Sequence, residues 1–153
     1  MSIIYCLCGE KMGGFKFLEH MSDAYIMAWG KTLEEAFEYA ALGMFETMTD
    51  TSKVKHKVVR EIEVDGIDLF SLLYNWLEEL LYYFDAEALL FSKFKVHEIG
   101  KKNGKYYLRG IVLGEPFDES RHISKNAVKA VTYSLMEINR KNGEWILKFV
   151  LDL

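Results

Sequence analysis

From residue 33 the apolar positions fall at three-four spacing, Leu33, Ala36, Phe37, Ala40, Ala41, Met44, Phe45 and Met48, which predicts a helix over 33–48 with one apolar side. Thr32-Leu33-Glu34-Glu35 opens it as a capping box, since the Thr32 hydroxyl can accept the Glu35 amide and Glu35 can reach back. The polar run at 49–52 ends it. Over 53–65 the period changes to two: Val54, Val58, Ile62 and Val64 alternate with Lys55, Lys57, Glu61 and Glu63, the pattern of a half-buried strand. Asp68 then stands as an N-cap before Leu69, Leu72, Leu73, Trp76, Leu77, Leu80, Leu81 and Phe84, a second helix over 69–84.

Strand-like runs at 89–99 and 105–113 flank Asn103-Gly104, a two-residue hairpin turn. Closing it with Lys102 opposite Lys105 sets Glu98 against Arg109 and Val96 against Ile111. A polar loop at 114–122, which holds the only proline together with Asp118 and His122, separates this hairpin from another. There, runs at 128–139 and 144–153 flank Asn142-Gly143, setting Lys141 against Glu144 and Tyr133 against Asp152. Lys129, Val131, Tyr133 and Asp152 would then share one side of the sheet. Helices among hairpins, without repeat or linker, predict an α+β fold with a largely antiparallel sheet in one domain spanning 1–153. Residues 1–11 fit least: they read either as an N-terminal extension, with Met12 an alternative start, or as an edge strand over 3–8.

Composition narrows the function. Lys and Arg total 19 against 23 Asp and Glu, a net charge of −4, and no stretch gathers the cations as a phosphate-backbone binder requires. No apolar run approaches the roughly twenty residues of a membrane span, and the N-terminus lacks the layout of a secretory signal. Cys6 and Cys8 are too close for an easy bridge. The expectation is therefore a reducing, cytoplasmic setting with no membrane contact.

The loop and helix motifs of nucleotide binding, the nucleophile elbow and the paired-cysteine or His-Glu-x-x-His metal signatures are all absent. The lysines at 53, 55 and 57 share their face with Glu61 and Glu63 and read as solvated, and the tyrosines at 74, 82, 83, 106 and 107 read as core or rim. His56 and His97 read as exposed. Two acidic places stand out. Glu19-His20-Met21-Ser22-Asp23 gathers two carboxylates and an imidazole just before the apolar 24–29 run. At the other end, Asp152 lies beside the chain's own terminal carboxylate on Leu153. If Asp23 lies near these, three hard oxygen donors converge, a set suited to Ca²⁺ or Mg²⁺.

These segments, in this order and spacing, resemble the archease family from about residue 15 to the end. The resemblance runs through Glu19-His20-x-x-Asp23, Lys31 to Phe37 with Ala40-Ala41 and Met48-Thr49-Asp50. It continues through Leu72 to Leu81, Leu90-Phe91-Ser92, Gly114-Glu115, Asp118, Arg121-His122, Val128 to Tyr133 and Leu151-Asp152-Leu153. It implies an accessory protein, not an enzyme, that activates an RtcB-type tRNA-splicing RNA ligase by promoting guanylylation of its active-site histidine over many turnovers, touching RNA only through the ligase. It implies a metal site at Asp23, Asp152 and Leu153, with Ca²⁺ favoured over Mg²⁺, and Lys129 as a functional residue beside the candidates Glu19, His20, Asp118 and His122. A general chaperone or nucleic-acid-binding adaptor is the alternative. Met21-Ser22 and Ser134 depart from the family's usual residues, so a role for a histidine after Tyr133 is not carried over.

Overall fold

The computed structural model describes the backbone of residues 4–6 and the whole of 13–19 and 22–153. In chain order the elements are β1 (Ile4–Cys6), β2 (Gly14–Leu18), β3 (Ala24–Gly30), α1 (Leu33–Met48), a 3₁₀ turn (Thr51–Lys53), β4 (Val58–Gly66) and α2 (Leu69–Glu87). They continue with β5 (Leu89–Lys102), β6 (Lys105–Pro116), β7 (Ala130–Val131), β8 (Glu137–Lys141) and β9 (Glu144–Asp152). Every pairing is antiparallel, in two sheets: β1-β2-β3-β9-β7 with β8 also on β9, and β4-β6-β5. The fold is α+β. The backbone at Ile4–Cys6 pairs with β2 as an edge strand; the rest of the expected strand over 3–8, and Met12, lie outside the described residues. Among the described residues no helix is long and apolar enough to cross a membrane.

Helix α1 lies between the sheets, against β2, β3 and β9 on one side and β5 on the other. Thr32 caps it as expected, its hydroxyl accepting the Glu35 amide at 3.0 Å. The expected polar side is not exposed, however: every residue from Ala36 to Met48 is buried. Small side chains permit this on the β3 side, where a Cβ on Gly43 would stand 3.1 Å from Ile26 and Phe15. On the β5 side the glutamates have work to do. Strand β5 is an edge, and Glu38 accepts the Val96 amide at 2.9 Å while Glu34 accepts that of Ile99 at 3.4 Å. The helix thus pairs edge groups that no strand reaches.

Helix α2 is one-sided, burying Leu72, Leu73, Trp76, Leu77, Leu80 and Leu81. Each such side chain contributes about 1.5–3 kcal/mol when removed from water. Asp68 and Ser71 form a reciprocal capping box, and the helix runs to Glu87 before Ala88 turns left-handed at φ 54°. The indole Nε1 of Trp76 donates to the Phe37 carbonyl at 3.0 Å, tying α2 to α1.

Both Asn-Gly turns form, with positive φ at Asn103, Gly104, Asn142 and Gly143. Lys102 faces Lys105 and Glu98 faces Arg109, as expected, but Val96 faces Gly110 and not Ile111, because a bulge intervenes between Val96 and Glu98. The strand expected over 128–139 is two short strands. Glu137 faces Lys148 while Ala130, not Tyr133, faces Asp152, so three extra residues are looped out between them. The loop is a turn in which the Met136 amide donates to the Tyr133 carbonyl at 3.2 Å and Leu135 sits at φ 55°. As a result Val131 and Leu151 point into the core, on the opposite side from Asp152.

Candidate functional site

Strand β9 lies between β3 and β7, and this placement builds the acidic end. Ala24 faces Leu151, so Asp23 comes one register step further, beside Asp152. Ala24 and Leu151 are buried, so alternation turns Asp152 to the outer side, and Asp23 sits in the bend that leads into β3. Asp152 is exposed and Asp23 half-buried. The Leu153 side chain packs on the core, which holds the terminal residue in place. On the other flank Ala130 faces Asp152, and the Lys129 amide donates to the Asp152 carbonyl at 2.7 Å. The structure thus brings Asp23, Asp152, Leu153 and Lys129 together. Glu19 is exposed just after β2, and His20 lies outside the described residues.

The donors in this set are all oxygens, two aspartates and a main-chain carboxylate, and that chemistry fits a hard divalent cation. Among the described residues no three His, Cys, Asp or Glu side chains form a metal-binding group.

Asp118 and His122 belong to a different constellation, centred on Glu115 at the end of β6. Its carboxylate is 1% exposed and accepts from both Arg121 Nη2 at 2.6 Å and Arg121 Nη1 at 3.2 Å, and from the Lys55 amide at 2.8 Å. His122 Nδ1 accepts the Asp118 amide at 2.8 Å, which leaves the proton on Nε2 to donate to Glu115 at 2.9 Å. The Arg121 guanidinium, with the Lys55 amide and the His122 contact, holds the Glu115 carboxyl at about 2, against the pull of burial. Ser120, then Arg121, lowers Asp118 as well. Both His122 nitrogens are committed inside the loop. Further along, the Lys125 and Asn126 amides donate to the last carbonyls of α1, on Met48 and Thr47, and Lys125 Nζ meets the buried Glu46 at 2.6 Å. The loop from 117 to 129 is thereby clamped onto α1, and Lys129 is its last residue.

Sequence reasoning missed a second surface. Tyr74 of α2 and Tyr133 of the β7–β8 turn stack with ring centroids 4.4 Å apart and planes 7° from parallel. The nearby Glu78 carboxylate raises the Tyr74 pKa, with burial adding to the effect. Glu78 also lines an open groove of about 1000 Å³ between α2 and the β4-β6-β5 sheet, with Glu63, Asp65, Glu79, Glu98 and Arg109 among the lining. The expected strand over 128–139 concealed Tyr133, because the signal for its turn is only a Ser-Leu pair with no Gly or Asn.

A family model described as the Archease protein family (MTH1598/TM1083) matches residues 15–153. The chain is 50% identical over 142 residues to the protein archease of Sulfurisphaera tokodaii, covering 93% of this chain and 100% of that one. It is 48% identical over 143 residues to that of Pyrococcus furiosus, with the same coverage. Among solved structures, protein 1598 of Methanobacterium thermoautotrophicum superposes with a TM-score of 0.81 at 46% identity, covering 91% of this chain and 98% of that one. A Thermotoga maritima protein described as an archease and possible chaperone has a TM-score of 0.53 at 15% identity over 89% of this chain and 94% of that one, a likeness of fold alone.

Proposed function

This chain belongs to the archease family, and from that premise we propose that it is an accessory protein that activates an RtcB-type tRNA-splicing RNA ligase. In this reading the acidic end formed by Asp23, Asp152 and the chain terminus enters the ligase's active site and helps to place the nucleotide for attack by the ligase histidine, sustaining many turnovers. The observation that supports it is the register of β3 on β9, which pairs Ala24, next to Asp23, with Leu151, next to Asp152. Asp23, Asp152 and the Leu153 carboxylate would hold a divalent cation, calcium ahead of magnesium, whose charge would offset that of the nucleotide phosphates. Lys129, held by its amide on the Asp152 carbonyl, would bring a cation to the same end and meet a phosphate oxygen. The clamped 117–129 loop, pinned by Glu115 and Glu46, sets where Lys129 stands.

The test is ligation of a broken RNA in excess over RtcB-type ligase, with and without this protein. Wild type is expected to convert one turnover into many, and Asp23→Ala and Asp152→Ala to abolish the gain while remaining folded. Full stimulation by Asp152→Ala would sink the mechanism. The competing reading is a general chaperone, which the description of the Thermotoga protein favours. It predicts protection of unrelated unfolded clients, and stimulation confined to the ligase would exclude it.

A further inference from the structure

The Tyr74–Tyr133 stack is an unusual thing to leave in water. Tyr133 is 52% exposed and its neighbour Leu135 54% exposed, and the turn that presents them keeps a leucine in the left-handed region, a conformation that favours glycine. On α2, Phe70, Tyr74 and Glu78 follow at intervals of four and so share a face. Glu78 lies near the Tyr74 hydroxyl, and beside the effect of burial Asp68 and Glu78 both face the Tyr133 hydroxyl with negative charge. Glu78 also forms the wall of the acidic groove, where Glu63, Asp65 and Glu79 follow. Among the described residues none of these four carboxylates is in an ion pair; of the groove's cations, Arg109 is bonded to Glu98 and faces Glu63 across the β4–β6 pair, and Lys102 lies on the β5 wall.

We propose that this aromatic shelf and the groove continuous with it form a docking surface for an extended, arginine- or lysine-bearing segment of a protein partner. One cation rests on the exposed Tyr133 ring beside Glu78, and the following ones run into the groove toward Asp65 and Glu63. Charge complementarity selects the occupant. An exposed ring with flanking carboxylates attracts a guanidinium or ammonium through the ring face and the ion pair together. A nucleic acid could stack on the same tyrosines, but its phosphates would meet unpaired carboxylates, so the surface disfavours it. If the partner is the ligase of the preceding section, this is a second contact apart from the acidic end. The inference does not require that identity.

The experiment titrates the whole protein, labelled with ¹⁵N, with a dodecapeptide of alternating glycine and arginine, and with the glycine–glutamate peptide as control. Saturable shifts are expected at the amides of Tyr74, Glu78, Tyr133 and Leu135 with the arginine peptide alone. Glu78→Gln and Tyr133→Ala, both at the surface, are each expected to weaken binding about three-fold and together about ten-fold. Glu119→Gln, the same charge change on the distant loop, is expected to leave it unchanged. Three results would each overturn the proposal: no saturable binding, equal weakening by Glu119→Gln, or stronger displacement of the same amides by an oligouridylate. Because the readout is binding without ligase, failure of the ligation assay leaves it untouched, and the reverse also holds.

Discussion

Glu115 accepts four hydrogen bonds on one carboxylate, and its removal is the residue-level change with the clearest consequence. Glu115→Ala leaves the buried His122 Nε2 without its acceptor and Arg121 with Asp118 alone, so a loss of about 3 kcal/mol in urea unfolding is expected. Its titration has a definite sign. The folded carboxyl is held at about 2 against a usual 4.5, so its contribution, on the order of 3 kcal/mol, is complete above pH 4.5. It is lost as the pH falls toward 2. The midpoint denaturant concentration of wild type should therefore drop between these pH values, and that of Glu115→Gln should drop less. The residues 114–122 stood out as a polar loop with Asp118 and His122 as candidates, but the burial of Glu115 was not legible beforehand, because the Lys55 amide that helps to bury it lies 60 residues away. Leu135 makes the opposite case: Leu135→Gly is expected to raise stability by about 0.5–1 kcal/mol, because glycine relieves the positive φ and no buried contact is lost.

At the scale of elements, local pattern predicted what local forces decide. The first helix begins and ends where its cap and periodicity place it, and both Asn-Gly turns close in the expected register, since these depend on neighbours within a few residues. The failures have other causes. The bulge beside His97 coincides with the place where Glu38 reaches across from α1 to take the Val96 amide, a requirement set by a helix far away in sequence. Glu38 itself reads as the solvated side of an amphipathic helix, yet it replaces the missing neighbour of an edge strand. Glu38→Ala should accordingly cost about 1–3 kcal/mol by leaving that amide buried and unpaired. Faster hydrogen exchange at Val96, with little change at the tip of the β5–β6 hairpin, would localise the effect.

For the whole molecule, α1 serves as the common core of both sheets, and neither sheet can lose it and keep its buried face. Unfolding followed through the buried Trp76 and through backbone circular dichroism should give one coincident transition; two separated transitions would mean that the sheets unfold independently. The same topology explains how much of the candidate site could be read in advance. Two aspartates at opposite ends of the chain were recognisable as carboxylates of interest, but their meeting depended on β3 lying beside β9, which periodicity does not specify. The clamped loop, finally, divides the surface for anyone wishing to insert a label or reopen the chain. The segment from 117 to 129 is a long irregular stretch, yet its amides and Lys125 complete α1, so an insertion there would fray the central helix. The hairpin tips at Gly104 and Gly143, with nothing within 4 Å of an added Cβ, are the places where a fluorophore or a new pair of termini would go unnoticed by the core.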